Sequence, residues 1–174
     1  VGEMLAQETD NAVNFVYASA PAARTLARMI EDGAIGRPLR LETRLFFSAW
    51  PRDWQASAQW LRLRAEGGFV REVLSHFVYL MIDLFGRCEH RASITDFPEG
   101  GELCERASAA ILDCAGIPAL VSASAGGAGP DEVVFTVRGE RGAPRLDNWY
   151  GRQRNEGPSW IPVDVDYRPH PDMR

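Results

Sequence analysis

Hydrophobic and polar positions alternate most clearly between Leu39 and Ser48, where Leu39, Leu41, Thr43, Leu45 and Phe47 fall on one side and Arg40, Glu42 and Arg44 on the other. That period of two predicts a strand with one buried face. Ahead of it, Ala12 to Tyr17 is a short apolar run expected to be a buried strand, and Val1 to Asp10 a short helix feeding it. Ala20-Pro21 opens a helix with an apolar stripe of Leu26, Met29 and Ile30, and Gly33 suits its stop. From Phe69 to Phe85 the chain is apolar nearly all round, which predicts one long buried helix bounded by Gly67-Gly68 and Gly86.

The second half changes character. Strand-like runs at 91–97, 106–114, 119–125, 132–138 and 145–149 are separated by short glycine- and proline-bearing turns, a pattern expected to form antiparallel hairpins. Helices first and strands afterwards predict an α+β layer, one sheet covered by helices. The stretch from Gly151 onward is polar and proline-rich and predicts no further element.

The 174 residues suffice for one ordinary domain with a real core. A net charge of −5 and a pI near 5.2 argue against a nucleic-acid partner. No apolar run reaches the ~20 residues that span a bilayer, and the N-terminus lacks a signal peptide's pattern, so a cytoplasmic location is expected. All 19 basic residues are arginine. Without lysine the chain has no primary amine side chain for Schiff-base chemistry or a phosphate-loop lysine. Cys88, Cys104 and Cys114 are odd in number and widely spaced, with no CxxC pair, and are expected to be reduced and mostly core.

Candidate chemistry lies on the apolar helix. Glu72, Ser75, His76, Tyr79 and Asp83 share a stripe about 100° wide on an otherwise greasy cylinder. Buried polar groups are costly unless paired, so the stripe either faces a polar cleft or forms an internal network. Glu72 and His76, spaced i,i+4, fit an acid tuning a general acid/base imidazole, a core histidine satisfied by its neighbour, or two ligands of a metal whose third is not apparent. Arg62, Arg64 or Arg71 could hold a carboxylate, phosphate or sugar hydroxyls with Trp60 as a wall, or be surface arginines over packed tryptophan.

Several features occur in the order found in one family. Phe15-Val16-Tyr17 followed by Pro21 to Gly33, then Gly33-Ala34-Ile35-Gly36, Trp60-Leu61-Arg62 ahead of Gly67-Gly68, Glu72-Val73-Leu74-Ser75-His76, Leu84-Phe85-Gly86, and Val137 to Gly142 together resemble the C-terminal domain of Gfo/Idh/MocA oxidoreductases. The resemblance covers roughly Phe15 to Trp149. It implies an open, mainly antiparallel β-sheet covered on one face by helices, of the dihydrodipicolinate-reductase-like type. It also implies that residues 1–20 are the remnant of an upstream Rossmann domain's edge, with 21–174 the substrate-binding and oligomerisation domain, expected to be truncated at its C-terminus.

By the same resemblance His76 is the acid/base toward a substrate hydroxyl and Glu72 stands where the family carries aspartate. Trp60, Arg62, Arg71 and Ser75 are then expected to line the pocket for a sugar, cyclitol or related polyol. The sheet's other face is expected to build a homodimer. The family's glycine-rich dinucleotide loop and Glu-Lys-Pro motif are missing here, so NAD or NADP is expected to be bound in the parent protein by a domain outside this chain, and the chain alone to be inactive. Two other readings remain open: a stand-alone interaction or dimerisation module, and a small-ligand or metal-binding protein built on the Glu72/His76 stripe.

Overall fold

A computed structural model describes residues 13–164. Eight strands form one sheet: β1 (Pro38–Phe47), β2 (Cys88–Asp96), β3 (Ala107–Cys114), β4 (Ile117–Ala125), β5 (Glu132–Gly139), β6 (Pro144–Asp147), β7 (Gly151–Glu156) and β8 (Ser159–Pro162). Their spatial order is β2-β3-β4-β1-β5-β6-β7-β8. Two α-helices, α1 (Pro21–Glu31) and α2 (Ser75–Phe85), cover one face. The expected α+β architecture with a mainly antiparallel sheet is therefore present.

The alternation in β1 sets the sheet's two sides. Leu41, Thr43, Leu45 and Phe47 are buried on the inner face, beside Ala119, Val121 and Ala123 of β4 and Val133, Phe135 and Val137 of β5. Helix α2 lays Phe77, Leu80 and Met81 onto this surface, all fully buried. Phe77 is central: its ring centroid lies 5.0 Å from Tyr17, 6.3 Å from Phe135 and 6.3 Å from Trp149.

The outer face differs in kind. Ile94, Ala109, Ile111 and Leu120 form an exposed apolar stripe across β2, β3 and β4, register placing Ile94 opposite Ala109 and Ile111 opposite Leu120. On β1 and β5 the same face is charged: Glu42 accepts from both Arg40 and Arg138, and Arg44 pairs with Glu132. These pairs are largely solvated, so each contributes little to stability.

Four expectations change. Val16–Ala18 is a single 3-10 turn rather than the end of a strand, and the proposed helix at 1–10 lies outside the described residues. The connection from β4 to β5 is not a hairpin: β1 lies between them, parallel to β4 and antiparallel to β5. Short linkers suggest adjacency, but Gly126 instead donates to Phe47 O at the end of β1 and the chain crosses over it. The polar segment after Gly151 forms β7 and β8. Its stability comes from the backbone ladder, from Asn155 Oδ1 accepting the Ala143 N–H at 2.7 Å, and from Arg145 stacked 5.0 Å from the Trp160 ring, none of which leaves a hydrophobic period.

The fourth change concerns cysteine. Cys88 and Cys114 form a disulfide, and only Cys104 is free and buried. The two partners are 26 residues apart in sequence yet directly opposite in the β2–β3 register, a proximity that spacing along the chain does not reveal.

Truncating Phe77 to alanine empties the junction of helix, sheet and Tyr17. Urea denaturation should show a loss of about 3–5 kcal/mol. A change below about 1 kcal/mol would mean that the site collapses around the cavity and that Phe77 is not the central contact.

Candidate functional site

The chain reaches α2 through a constrained approach. Gly68 N–H donates to Leu61 O at 2.8 Å, and Gly67 lies so close to Leu61 that a Cβ would stand 2.4 Å from its Cα. Gly68 has φ +101° and a Cβ there would meet Glu105 Oε2 at 2.6 Å. Both positions thus require glycine, one for close approach and the other for backbone sign as well. Trp50 Nε1 donates to Leu61 O at 3.0 Å and fixes the same loop from the other side.

Helix α2 does not begin as an α-helix. Val70–Leu74 forms a π-turn, with Ser75 N–H donating to Val70 O five residues back. Its first N–H, at Val70, donates to Glu105 Oε1 at 2.7 Å. Glu105 is buried, and its carboxylate sits at the positive end of the helical segment, where an anion is favoured. Sequence patterning gave no sign of this residue, which lies in the irregular link before β3. π-turns recur at functional sites because they re-aim side chains.

The polar stripe lies on the accessible side of this segment. Glu72, Ser75, His76 and Tyr79 are half-buried and Asp83 is exposed, whereas Val73, Leu74, Phe77, Leu80 and Met81 are buried. The helix is therefore not enclosed all round, as its composition predicts; Ile82 is 45% exposed.

His76 is packed by Phe15, whose ring meets it edge-on at 5.5 Å and stacks on Tyr79 at 4.6 Å. The imidazole Nδ1 is buried and has no hydrogen-bond partner among the described residues. Burial lowers the His76 pKa. The reason is direct: an imidazolium shielded from water loses the hydration that stabilises its charge. Glu72 makes no hydrogen bond to His76. It lies on the wider π-turn and His76 on the α-turn after it, so the two do not have the spacing of neighbours on one regular α-helix.

The other predicted residues are near in sequence but separate in contact. Arg71 is exposed and donates from Nη1 to Ala65 O at 3.1 Å. Arg62 donates to Gln59 Oε1 and, with Trp50, Cys104 and Glu105, lines a cavity of about 250 Å³. Trp60 is 45% exposed. No hydrogen bond, ion pair or ring contact among the described residues joins Trp60, Arg62 or Arg71 to Glu72 or His76. Nor do the described residues place three or more His, Cys, Asp or Glu side chains around a metal-sized space.

The lowered pKa has a sign that can be checked. Unfolded His76 binds a proton below about 6.5 that the folded chain resists, so its contribution to stability is full above that pH and is lost as the pH falls through the lower folded value. An NMR titration of the His76 ring should give a midpoint below the ordinary histidine value; a midpoint at or above it would exclude the enclosed, unpaired Nδ1.

Solved structures share this fold. An oxidoreductase from Thermotoga maritima superposes with a TM-score of 0.70 at 16% identity, covering 94% of this chain and 50% of that one. Levoglucosan dehydrogenase in complex with NADH and levoglucosan gives 0.70 at 18%, covering 87% and 46%. KijD10, a 3-ketoreductase from Actinomadura kijaniata in complex with NADP, gives 0.70 at 15%, covering 86% and 47%. The chain thus spans about half the length of these proteins. No curated protein matches it in sequence. The family model described as the GFO/IDH/MocA C-terminal domain matches residues 23–145, most of the chain, and the protein belongs to that family.

Proposed function

We propose that this chain is the substrate-binding and oligomerisation domain of an NAD(P)-dependent oxidoreductase acting on a sugar, cyclitol or related polyol. The observation that carries the reading is His76: a half-buried imidazole on the accessible stripe of a helix whose opposite side is core, in a domain of this family. Burial keeps the ring neutral near pH 7, the form a base requires. In the oxidising direction His76 takes the substrate hydroxyl proton on its imidazole, and in the reducing direction returns it. Glu72 acts as a positioning residue on the preceding turn, and Ser75, Arg71, Trp60 and Arg62 contribute to the pocket.

The residues present do not fit a dinucleotide. The sequence has no G-x-G-x-x-G, and the described sheet has one parallel pair, β1 with β4, with no glycine turn and helix N-terminus of the kind that cradles a pyrophosphate. In this reading NAD or NADP, which supplies the hydride chemistry, is held by a domain outside the chain. The complexes of levoglucosan dehydrogenase with NADH and of KijD10 with NADP support that assignment.

The outer sheet face supports assembly. Ile94, Ile111 and Leu120 are 75%, 46% and 43% exposed on contiguous strands, an apolar surface suited to a second copy of the same face. A stand-alone dimerisation module would use the same surface, and His76 separates the two readings. A cytoplasmic location belongs to the proposal, and no described helix is long and apolar enough to cross a membrane. The Cys88–Cys114 bridge is the feature that weighs against a reducing compartment.

In the protein carrying both this domain and its nucleotide-binding partner, His76→Asn should lower turnover by about 10²-fold or more while leaving assembly intact. Unchanged turnover would leave the interaction module as the better reading. Replacing Ile111 and Leu120 together with aspartate should convert a dimer into monomers in sedimentation; a species unaffected by both charges would exclude this face as the interface.

A further inference from the structure

The loop after β1 holds a cation for which the helix stripe does not account. The Arg52 guanidinium carbon lies 4.7 Å from the Trp54 ring centroid, 5.2 Å from Phe47, 5.5 Å from Trp50 and 5.5 Å from Trp149. Rings on several sides hold the planar group still by cation–π contact and stacking. Nε donates to Gln55 Oε1 at 3.0 Å, and no described residue accepts from either Nη. No described acid forms an ion pair with Arg52, whereas Arg40, Arg44 and Arg138 of the sheet all have carboxylate partners. Asp131, the acid whose field reaches Arg52, already accepts from Ser48 N and Oγ.

A half-buried cation without a counter-ion is costly, and burial indeed lowers the Arg52 pKa. What remains available on this held plane is its Nη edge, a fork matched to the two oxygens of a carboxylate. The cage is also strained on one side. Asn148 and Trp149 have φ of 45° and 71°, a conformation that non-glycine residues adopt at a cost and that concentrates at functional sites. That backbone puts the Trp149 ring against both Arg52 and Phe77, the residue after His76, while its carbonyl accepts from Tyr17 Oη at 3.3 Å. Phe47 ends β1 and Asp147 ends β6, two strands running the same way, so the cage sits at one end of the sheet.

We infer that Arg52 anchors a carboxylate of the small-molecule ligand, so that the domain takes a sugar acid or other polyhydroxy acid in preference to a neutral polyol. The choice of substrate class rests on the reading of the His76 stripe as the surface that meets substrate hydroxyls; the carboxylate contact itself does not.

Three tryptophans line the cage, so intrinsic fluorescence of the purified chain reports on it directly. Titration with D-gluconate should give a saturable change, and D-glucitol, its neutral counterpart, should give none. Arg52→Gln should weaken gluconate binding about 10-fold or more, and Arg52→Lys, which keeps the charge and loses the fork, should weaken it comparably. Circular dichroism checks that each variant is folded, and Trp54→Ala serves as a second probe of the cage should Arg52→Gln unfold. Gluconate and glucitol behaving alike, sodium sulfate matching gluconate, wild-type affinity in folded Arg52→Lys, or no saturable change at all would each overturn the inference. Failure of the wild-type chain to distinguish gluconate from glucitol sinks this inference alone, and unaltered turnover of His76→Asn in the protein carrying both domains sinks the acid/base reading alone.

Discussion

The structure depends on one requirement: the segment from Val70 to Phe85 must be dry on one side and wet on the other. Phe77, Leu80 and Met81 meet the inner sheet face, and Phe77 joins β5, Tyr17 and Trp149 in one contact. Burial of this size, a few kcal/mol for each large side chain, fixes the helix's rotation about its axis. Once the rotation is fixed, the polar stripe has no choice of direction. The position of His76 is a by-product of where Phe77 must go.

The start of that segment is fixed by a different force. Gly67 and Gly68 admit the backbone of Leu61 and the carboxylate of Glu105, and Glu105 satisfies a helix N-terminal N–H that would otherwise lack an intrahelical acceptor. The wider π-turn absorbs the mismatch between this anchored beginning and the rotation demanded by the core. Positioning therefore comes from a loop 35 residues away in sequence, while orientation comes from packing.

How far the sequence revealed this follows from the range of each interaction. Strand β1, helix α1 and the polar stripe were legible because each rests on a local period, two residues or 3.6, that any window displays. The π-turn, the Glu105 cap, the insertion of β1 between β4 and β5, and the pairing of Cys88 with Cys114 all rest on contacts between distant segments. Arg52 shows the same limit. The sequence displays an arginine between two tryptophans, but the cage needs Phe47 and Trp149 as well, brought in by β1 and β6. The strands β7 and β8 leave no such period for the opposite reason, because a polar ladder at the end of a sheet needs no hydrophobic side.

The register shift between His90 and Ala92 gives strand β2 a consequence of its own. β2 ends the sheet, and a regular edge would offer its free amides and carbonyls to any other extended chain. The bulge breaks that regularity, and Arg87, Glu89, Arg91 and Asp113 place a linked set of charges along it. Strand-by-strand polymerisation is thus disfavoured at this border, so that an apolar face can lie open on the neighbouring strands without the molecule becoming a template for fibres.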